Sequence, residues 1–219
     1  MSATSLSKIH PSAVVDKGAV IGDGTAIWHF SHVCAGAVIG KSCSLGQNVL
    51  LADNASLGNN VKVQNNVAIY GGITVEDDVF LGPSCVLTNV TNPRSQVSRK
   101  SLYEKTLIKR GATIGANVTI VCGTTLGRYC FIGAGAVVTR DVVDYGLVLG
   151  NPGKLSGYMS RHGHKLTFND SGRATCAEST FVYEKVGEDV RCVDFDEDKL
   201  LPDELSVGSE SYEYFKLNT

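Results

Sequence analysis

A parallel β-helix is the fold this sequence predicts, on two observations about spacing and one about length. Stepping by six from Ile9 reaches Val15, Ile21, Ile27, Val33, Ile39, Leu45, Leu51, Leu57, Val63, Ile69, Val75, Leu81 and Leu87, all aliphatic. The position four beyond each is small or β-branched, from Ala13, Ala19 and Thr25 through Cys43, Ala55 and Val67 to Cys85 and Thr91. A period of six fits neither the 3.6 of a helix nor the 2 of a free strand. It fits a chain that turns a corner every six residues and sends one large and one small side chain inward per side. Coils of this kind cannot bury their apolar face alone and must stack. The period resumes at Ile108, Ile114, Ile120, Leu126, Ile132 and Val138, so the 219 residues hold six to seven three-sided coils. That length suits one domain with a small appendage.

The corners and the interruption follow from the same count. Glycine follows many of the aliphatics, among them Gly40, Gly82 and Gly115, where a tight corner is expected to need backbone freedom. Leu87 and Ile108 are 21 residues apart, three more than one 18-residue coil. Those three, with the aperiodic stretch 93–107, predict a loop pushed out of the wall. It carries Arg94, Arg99 and Lys100, and loops on rigid scaffolds are where sites concentrate.

The repeat ends after Val142, which gives a β-helix over 1–152. Residues 153–166 read as a short helix capping the open end of the core, a need of solenoids generally. In the C-terminal extension, 167–219, the apolar runs on either side of Gly187-Glu188 predict a β-hairpin. The acidic remainder reads as mobile.

Composition narrows the function. Hydrophobic residues at 43% and charged residues at 19% mark a globular chain. A net charge of −2 argues against a nucleic-acid binder acting through bulk charge. The balance is uneven: residues 1–154 hold 13 basic and 9 acidic side chains, whereas 155–219 hold 7 and 13. The first part therefore favours anionic small molecules. No apolar run is long enough to cross a membrane, and the polar start, Met1 to Lys8, lacks a signal peptide's core. Seven cysteines without a C-x-x-C pair point to a reduced, cytoplasmic setting.

Few residues invite metal chemistry. Cys43, Cys85 and Cys130 fall on the inward small position and read as packing; Cys34 and Cys122 fall at outward or corner positions. Cys176 and Cys192 are too few for a metal site on their own. Stepping 18 from His29 gives Gln47 and Asn65, and from His32 gives Leu50 and Ala68, so no histidine stack spans neighbouring coils and no metal is expected. The column His29, Gln47, Asn65, beside Phe30, Asn48, Asn66 and Ser84, reads either as a ladder that satisfies corner backbone groups or as the lining of a groove.

The phrases IWHFSHV (27–33), SLGQNV (44–49), KVQNNVAIYGGITVEDDVFLGPS (62–84), TNVTNPRS (88–95), KRGATIGAN (109–117), GAGAVVTRDV (133–142) and MSRHGHKL (159–166) together resemble the nucleotide-sugar N-acetyltransferases built on a left-handed hexapeptide-repeat β-helix. The resemblance covers roughly residues 9–166 and is nearest to members that acetylate UDP-2-acetamido-3-amino-2,3-dideoxyglucuronic acid for bacterial surface polysaccharide such as lipopolysaccharide O-antigen. It implies the helix's left hand and a cytoplasmic homotrimer with sites between subunits. Acetyl-CoA would lie along the groove as cosubstrate, with no metal. The positions resembling CoA contacts are Ala116 and Ala134, through their backbone, and Thr139, Arg140 and Lys154 at the adenine and phosphate end. A long cofactor rich in amides suits a groove edged by backbone donors, and its phosphates suit cations.

One departure bears on mechanism. Where many relatives place a catalytic histidine just before the extruded loop, this chain has Asn89. An amide cannot act as a general base, but it can orient an amine or donate to a developing oxyanion. An amine needs less help than an alcohol, because its neutral form already carries an available lone pair, so the residue favours N- over O-acetylation. Arg94 is the candidate for an acceptor carboxylate or diphosphate, and Gln64, Asn65 and Tyr70 are candidates for sugar and base contacts. A dTDP-linked 3-amino-3,6-dideoxyhexose is the alternative acceptor, and a non-catalytic trimeric scaffold the alternative class.

Overall fold

The computed structural model describes residues 6–208 and 210–217. The chain winds through pairs of residues in extended conformation, each followed by a corner, and every pair hydrogen-bonds in parallel to the pair one coil later. Three faces result. The first starts with Lys8–Ile9 and Ala26–Ile27, the second with Val14–Val15 and His32–Val33, the third with Val20–Ile21 and Val38–Ile39. The first face stacks eight parallel strands, from Lys8–Ile9 to Gly146–Leu149, and the second face seven, so the solenoid makes about eight turns, just past the six to seven expected.

The six-residue period is the core. Ile27, Val33, Ile39, Leu45 and their successors to Ile132 stand at 0–3% exposure, with the small partners packed between them. Where the small partner is a hydroxyl it is satisfied internally: Thr25 Oγ1 donates to Gly40 O at 2.9 Å and Ser31 Oγ to Gly46 O at 2.8 Å. Cys43, Cys85 and Cys130 are buried as expected, and burial pushes the Cys85 thiol up to about 12. The first coil is the exception, since Ala13, Val15, Ala19 and Ile21 are only partly buried and Ile9 is 42% exposed.

The glycines after the aliphatics serve space rather than torsional freedom. A Cβ on Gly82 would stand 2.7 Å from both Ala116 N and Gly115 C of the next coil. Left-handed backbone falls elsewhere, on a column of corner residues that includes Asn48, Asn66, Ser84 and Asn117 with φ of 54–62°. The Asn column is a ladder: Asn65 Oδ1 accepts from Gln47 N at 2.8 Å, and Asn48 Nδ2 donates to Asn66 Oδ1 at 3.1 Å. Of the two readings of that column, the corner-satisfying one accounts for these bonds.

Three expectations need correction. Val75 pairs with Ile108 and Leu87 with Ile120, 33 positions apart where other coils step 18, so the insertion is fifteen residues rather than three. No coil is missing; one six-residue side has been drawn out, and Thr91 leaves the wall with it. The expected capping helix over 153–166 is absent. Lys154–Met159 is a strand that pairs antiparallel with Gly146–Leu149 on the last coil, and Lys165–Leu166 pairs with it in turn. The edge of the last coil offers unpaired backbone groups, and a strand satisfies them where a helix would not.

The extension is docked rather than mobile. The predicted hairpin forms from Val182–Val186 and Asp189–Cys192, and Arg173–Thr175 adds a third strand. Its core of Tyr145, Tyr158, Tyr183, Cys176 and Cys192 is continuous with Tyr129 on the solenoid. The acidic segment after it lies across the basic side chains of the third corner. Arg128 donates to the Asp198 carboxylate and to Glu197 O, Arg110 Nη1 donates to Asp198 O at 3.3 Å, and Arg161 Nη2 donates to Lys199 O at 2.8 Å. Among the described residues no helix is long and apolar enough to cross a membrane.

Gly82→Ala is expected to lower stability by about 1–3 kcal/mol, the cost of overpacking. Gly36→Asn, at a left-handed corner (φ 78°) with nothing near its Cβ, is expected to cost far less. Thermal unfolding of the two variants beside the parent checks the contrast.

Candidate active site

The ten site residues expected from the sequence fall mainly on the two corners that flank the second face. Gln64, Asn65, Ala116 and Ala134 lie on the corner between the first and second faces. Tyr70, Asn89, Thr139 and Arg140 lie on the corner between the second and third, and Arg94 on the loop that leaves it. The pairings of Leu87 with Ile120 and of Ile120 with Val138 put Asn89, Cys122 and Arg140 one coil above another in a single column. Neighbouring strands stand about 4.8 Å apart, which sets the spacing of that column. Within one chain the two corners remain on opposite sides of the face.

Asn89 sits at the neck of the loop. Its carbonyl accepts from Glu104 N at 3.0 Å, which closes the neck through the backbone and leaves the side-chain amide out of that bond. Glu104 is the keystone. Thr91 donates to its Oε1 through both hydroxyl and backbone N, and Cys122 Sγ lies 3.6 Å from the same oxygen. The Thr91 hydroxyl bond holds the Glu104 carboxyl below its ordinary value. Cys122, expected at an outward or corner position, is buried beneath this cluster, and its backbone N donates to Thr88 Oγ1 at 2.9 Å. Beyond the neck the loop is exposed. Arg94 pairs with Val97 in a tight turn and its Nη1 donates to Pro93 O at 3.1 Å, while Arg99 Nε donates to Asn92 O at 2.9 Å.

Thr139, Arg140 and Lys154 converge. They line one cavity of about 320 Å³ beside the last coil, together with Asp141, Leu155 and Glu188. That volume is at the small end of ligand pockets and suits one end of an extended molecule rather than the whole of it. Glu188 was not legible as a site residue. It comes from the turn of the C-terminal hairpin, whose backbone carbonyl accepts from Tyr158 Oη at 3.2 Å. Only the docking of that hairpin brings it to the cavity.

Ala116 and Ala134 have a different distinction. At other corners the outward amide is capped by a side chain one coil later: Gln47 N donates to Asn65 Oδ1, Asn59 N to Asp77 Oδ1 and Lys41 N to Asn59 Oδ1. Alanine has no such acceptor, and among the described residues nothing accepts from Ala116 N or Ala134 N. The corner thus presents two free donors in register. Asn65, by contrast, already accepts through its side-chain oxygen within the ladder, while Gln64 and the half-exposed Tyr70 point outward without that role.

The basic surplus of residues 1–154 is partly neutralised from within. Arg110 pairs with Asp77 at 2.8 Å and Asp78 at 3.2 Å, and Arg128 with Asp198. The cations left for an anionic ligand are mainly those of the cavity and the loop.

Comparison with known proteins fits this geometry. The bacterial transferase hexapeptide model, six repeats long, matches residues 18–53, 54–89 and 105–140, each block two coils, with the loop as the gap. The dTDP-3-amino-3,6-dideoxy-α-D-galactopyranose 3-N-acetyltransferase of Aneurinibacillus thermoaerophilus is 42% identical over 168 residues, 77% of this chain and 86% of that protein. The chain belongs to the hexapeptide-repeat acetyltransferases. Among solved structures, the acetyltransferase domain of PglB from Neisseria gonorrhoeae is 25% identical with a TM-score of 0.43, over 68% of this chain and 57% of that one. The GDP-perosamine N-acetyltransferase of Caulobacter crescentus, solved with CoA and GDP-perosamine, is 24% identical with a TM-score of 0.39, over 70% and 58%. As an acetyltransferase of this family, the chain keeps the repeat intact up to the loop and interrupts it at the Asn89 corner.

The Glu104 keystone carries a pH dependence. Folding lowers this carboxyl below its ordinary 4.5, so its bonds are present above that value and are lost as pH falls through the folded value. Amide exchange at Thr91, whose N–H the carboxylate accepts, is expected to lose protection on acidification. Glu104→Gln is expected to lose that pH dependence.

Proposed function

We propose that this enzyme transfers the acetyl group of acetyl-CoA to the 3-amino group of a nucleotide-linked 3-amino sugar. The carrying observation is the division of candidate residues between the two corners of one face, with an apolar stripe between them. The outward residues of the second face are Val14, His32, Leu50, Ala68, Val86, Thr119 and Val137, whereas those of the first face mix Lys8, Ser44, Lys62 and Thr113 with Ala26, Phe80 and Phe131. Three such faces turned toward a common axis bring the Asn89 corner of one copy against the Ala116–Ala134 corner of the next. A homotrimer of this kind holds three identical sites, each drawn from two subunits. The free Ala116 and Ala134 amides suit the pantetheine carbonyls. The Thr139–Arg140–Lys154 cavity suits the adenine and phosphate end.

The chemistry follows from Asn89. The sugar amine, neutral and carrying its lone pair, attacks the thioester carbonyl, and a C–N bond forms as the carbonyl oxygen gains charge. The Asn89 side-chain NH₂ donates to that oxygen, or its carbonyl oxygen accepts from the amine N–H and orients the attack. Collapse breaks the C–S bond, and the departing CoA sulfur takes the ammonium proton directly or through water. The products are the N-acetyl sugar and free CoA. Orientation of two bound substrates supplies much of the acceleration.

The relative acting on a dTDP-linked 3-amino-3,6-dideoxygalactose favours a dTDP-3-amino-3,6-dideoxyhexose as acceptor. The UDP-linked 3-amino glucuronic acid shares the reacting amine and differs by a carboxylate that Arg94 would have to meet. Thiol release from acetyl-CoA with both sugars separates the readings, since fast turnover of the deoxyhexose alone leaves no place for carboxylate recognition. Asn89→Ala is expected to lower kcat by about 10²-fold, the effect of losing one oxyanion donor, with KM for acetyl-CoA nearly unchanged. Arg140→Ala is expected to raise that KM by about tenfold, the worth of one charged hydrogen bond. Val86→Asp, on the apolar stripe, is expected to give monomers in sedimentation and to abolish turnover with them. A stable, fully active monomer would refute the shared site.

A further inference from the structure

Asp16, His32 and Cys34 form a cluster on the first two coils, at the opposite end of the solenoid from the Thr139–Lys154 cavity. Asp16 N donates to Val33 O at 2.9 Å, which seats Asp16 directly beneath Cys34. His32 lies two residues before Cys34, so the two side chains leave the wall in the same direction. His32 Nε2 stands 3.1 Å from Asp16 Oδ2 and 4.0 Å from Cys34 Sγ, and all three donor atoms lie within 4.8 Å of one another. Zinc–ligand bonds of about 2.0 Å to nitrogen or oxygen and 2.3 Å to sulfur give tetrahedral donor-to-donor edges of about 3.3–3.6 Å. The three atoms need only small side-chain rotations to reach those edges.

The donor chemistry selects the ion. One imidazole, one thiolate and one carboxylate make a borderline set that suits zinc and is poor for calcium or magnesium, which seek oxygen alone. Asp16 and Asp53 place two carboxylates near the Cys34 thiol, and the charge of a dication suits that setting. In the single chain the His32 and Asp16 side chains are 45% and 41% exposed, so an ion can enter before the second faces of neighbouring copies pack together.

We propose that Asp16, His32 and Cys34 bind a zinc ion, with its fourth position open, that clips the first coil onto the second. The clip falls where the stack is weakest, because the first coil has only partly buried inward residues. The absence of a histidine stack predicted no metal; the donors instead mix residue types at spacings of 2, 16 and 18, which stepping the histidines alone does not reveal.

The test uses the full chain, stripped with a chelator and titrated with Zn²⁺ by calorimetry and with Co²⁺ by absorption. One ion per chain, a raised Tm and a thiolate-to-cobalt charge-transfer band are expected. Cys34→Ser and His32→Gln are each expected to weaken binding by at least about a hundredfold, the upper cost of losing an outer-shell partner. Cys122→Ser is expected to leave both affinity and band unchanged. Parent protein binding no tighter than His32→Gln, an exposed and foldable change, would overturn the proposal. So would a cobalt–thiolate band that survives Cys34→Ser.

Discussion

Every feature of this molecule depends on one constraint, the direct hydrogen bonding of each coil's backbone to the next. It fixes the pitch, so a residue's neighbours above and below are the residues 18 away, and columns rather than single positions carry the requirements. Gly82, beside Ala116 N and Gly115 C of the next coil, marks a column with no room for a side chain. Asn65 and Asp77 mark columns in which a side-chain oxygen must reach down to an amide of the coil below. The inward column alternates Leu, Ile or Val with something as small as Ala37 or Cys43 because the triangular cross-section leaves no other volume. The same pitch spaces whatever stands on the outside. Where Ala134 replaces the reaching side chain, the column opens and the backbone amide below is left without an acceptor.

Electrostatics tie the extension to that frame. Read as sequence, the chain has a basic front and an acidic back, and the front's surplus points to anionic ligands. The structure brings part of the surplus against the acid: Arg128 pairs with the Asp198 carboxylate and Arg110 donates to the Asp198 carbonyl, while Arg161, from the back itself, donates to the Asp196 and Lys199 carbonyls. The Tyr145 hydroxyl donates to Glu197 Oε1 at 2.7 Å, and its burial there pushes the phenol far up. The extension thus closes the far end of the core, and its hairpin turn delivers Glu188 to the cavity of Arg140 and Lys154. A carboxylate opposite two cations leaves that cavity mixed in sign, able to accept from an amino or hydroxyl group as well as to receive phosphate.

How far the sequence could be read depends on whether a feature repeats. The aliphatic column from Ile27 to Ile132 repeats, and the core it predicts is the core observed. The loop was legible as an interruption, but its size was misjudged by counting from Leu87 to Ile108 instead of asking which residue each would pair with. At 153–166 periodicity ended, local propensity took over, and the helix it suggested lost to the demand of an unpaired sheet edge on Gly146–Leu149. Glu188 and the Glu104–Thr91–Cys122 neck were beyond reach for another reason. Glu104 meets Cys122 at the coil period of 18, but the Thr91–Glu104 bond spans 13 residues and Glu188 comes to Arg140 and Lys154 from 48 and 34 residues away, and only tertiary docking defines those.

The two ends of the stack are finished by different means, and this bears on why the Asp16–His32–Cys34 cluster lies between the first two coils. At the C-terminal end the last coil is shortened, with Ile132 pairing to Val148 only 16 positions on, and antiparallel strands and an aromatic core cover it. Among the described residues nothing comparable covers the N-terminal end, where Ile9, Val14 and Val20 are exposed. A solenoid frays from an uncovered end, because its terminal coil has a neighbour on one side only. Added apolar surface at that end would invite another chain. A cross-link from Asp16 to His32 and Cys34 avoids that hazard, since it couples the terminal coil to the next through bonds that expose only polar groups. The cluster joins the one coil with an incomplete core to its complete neighbour, which is what a cross-link between coils requires.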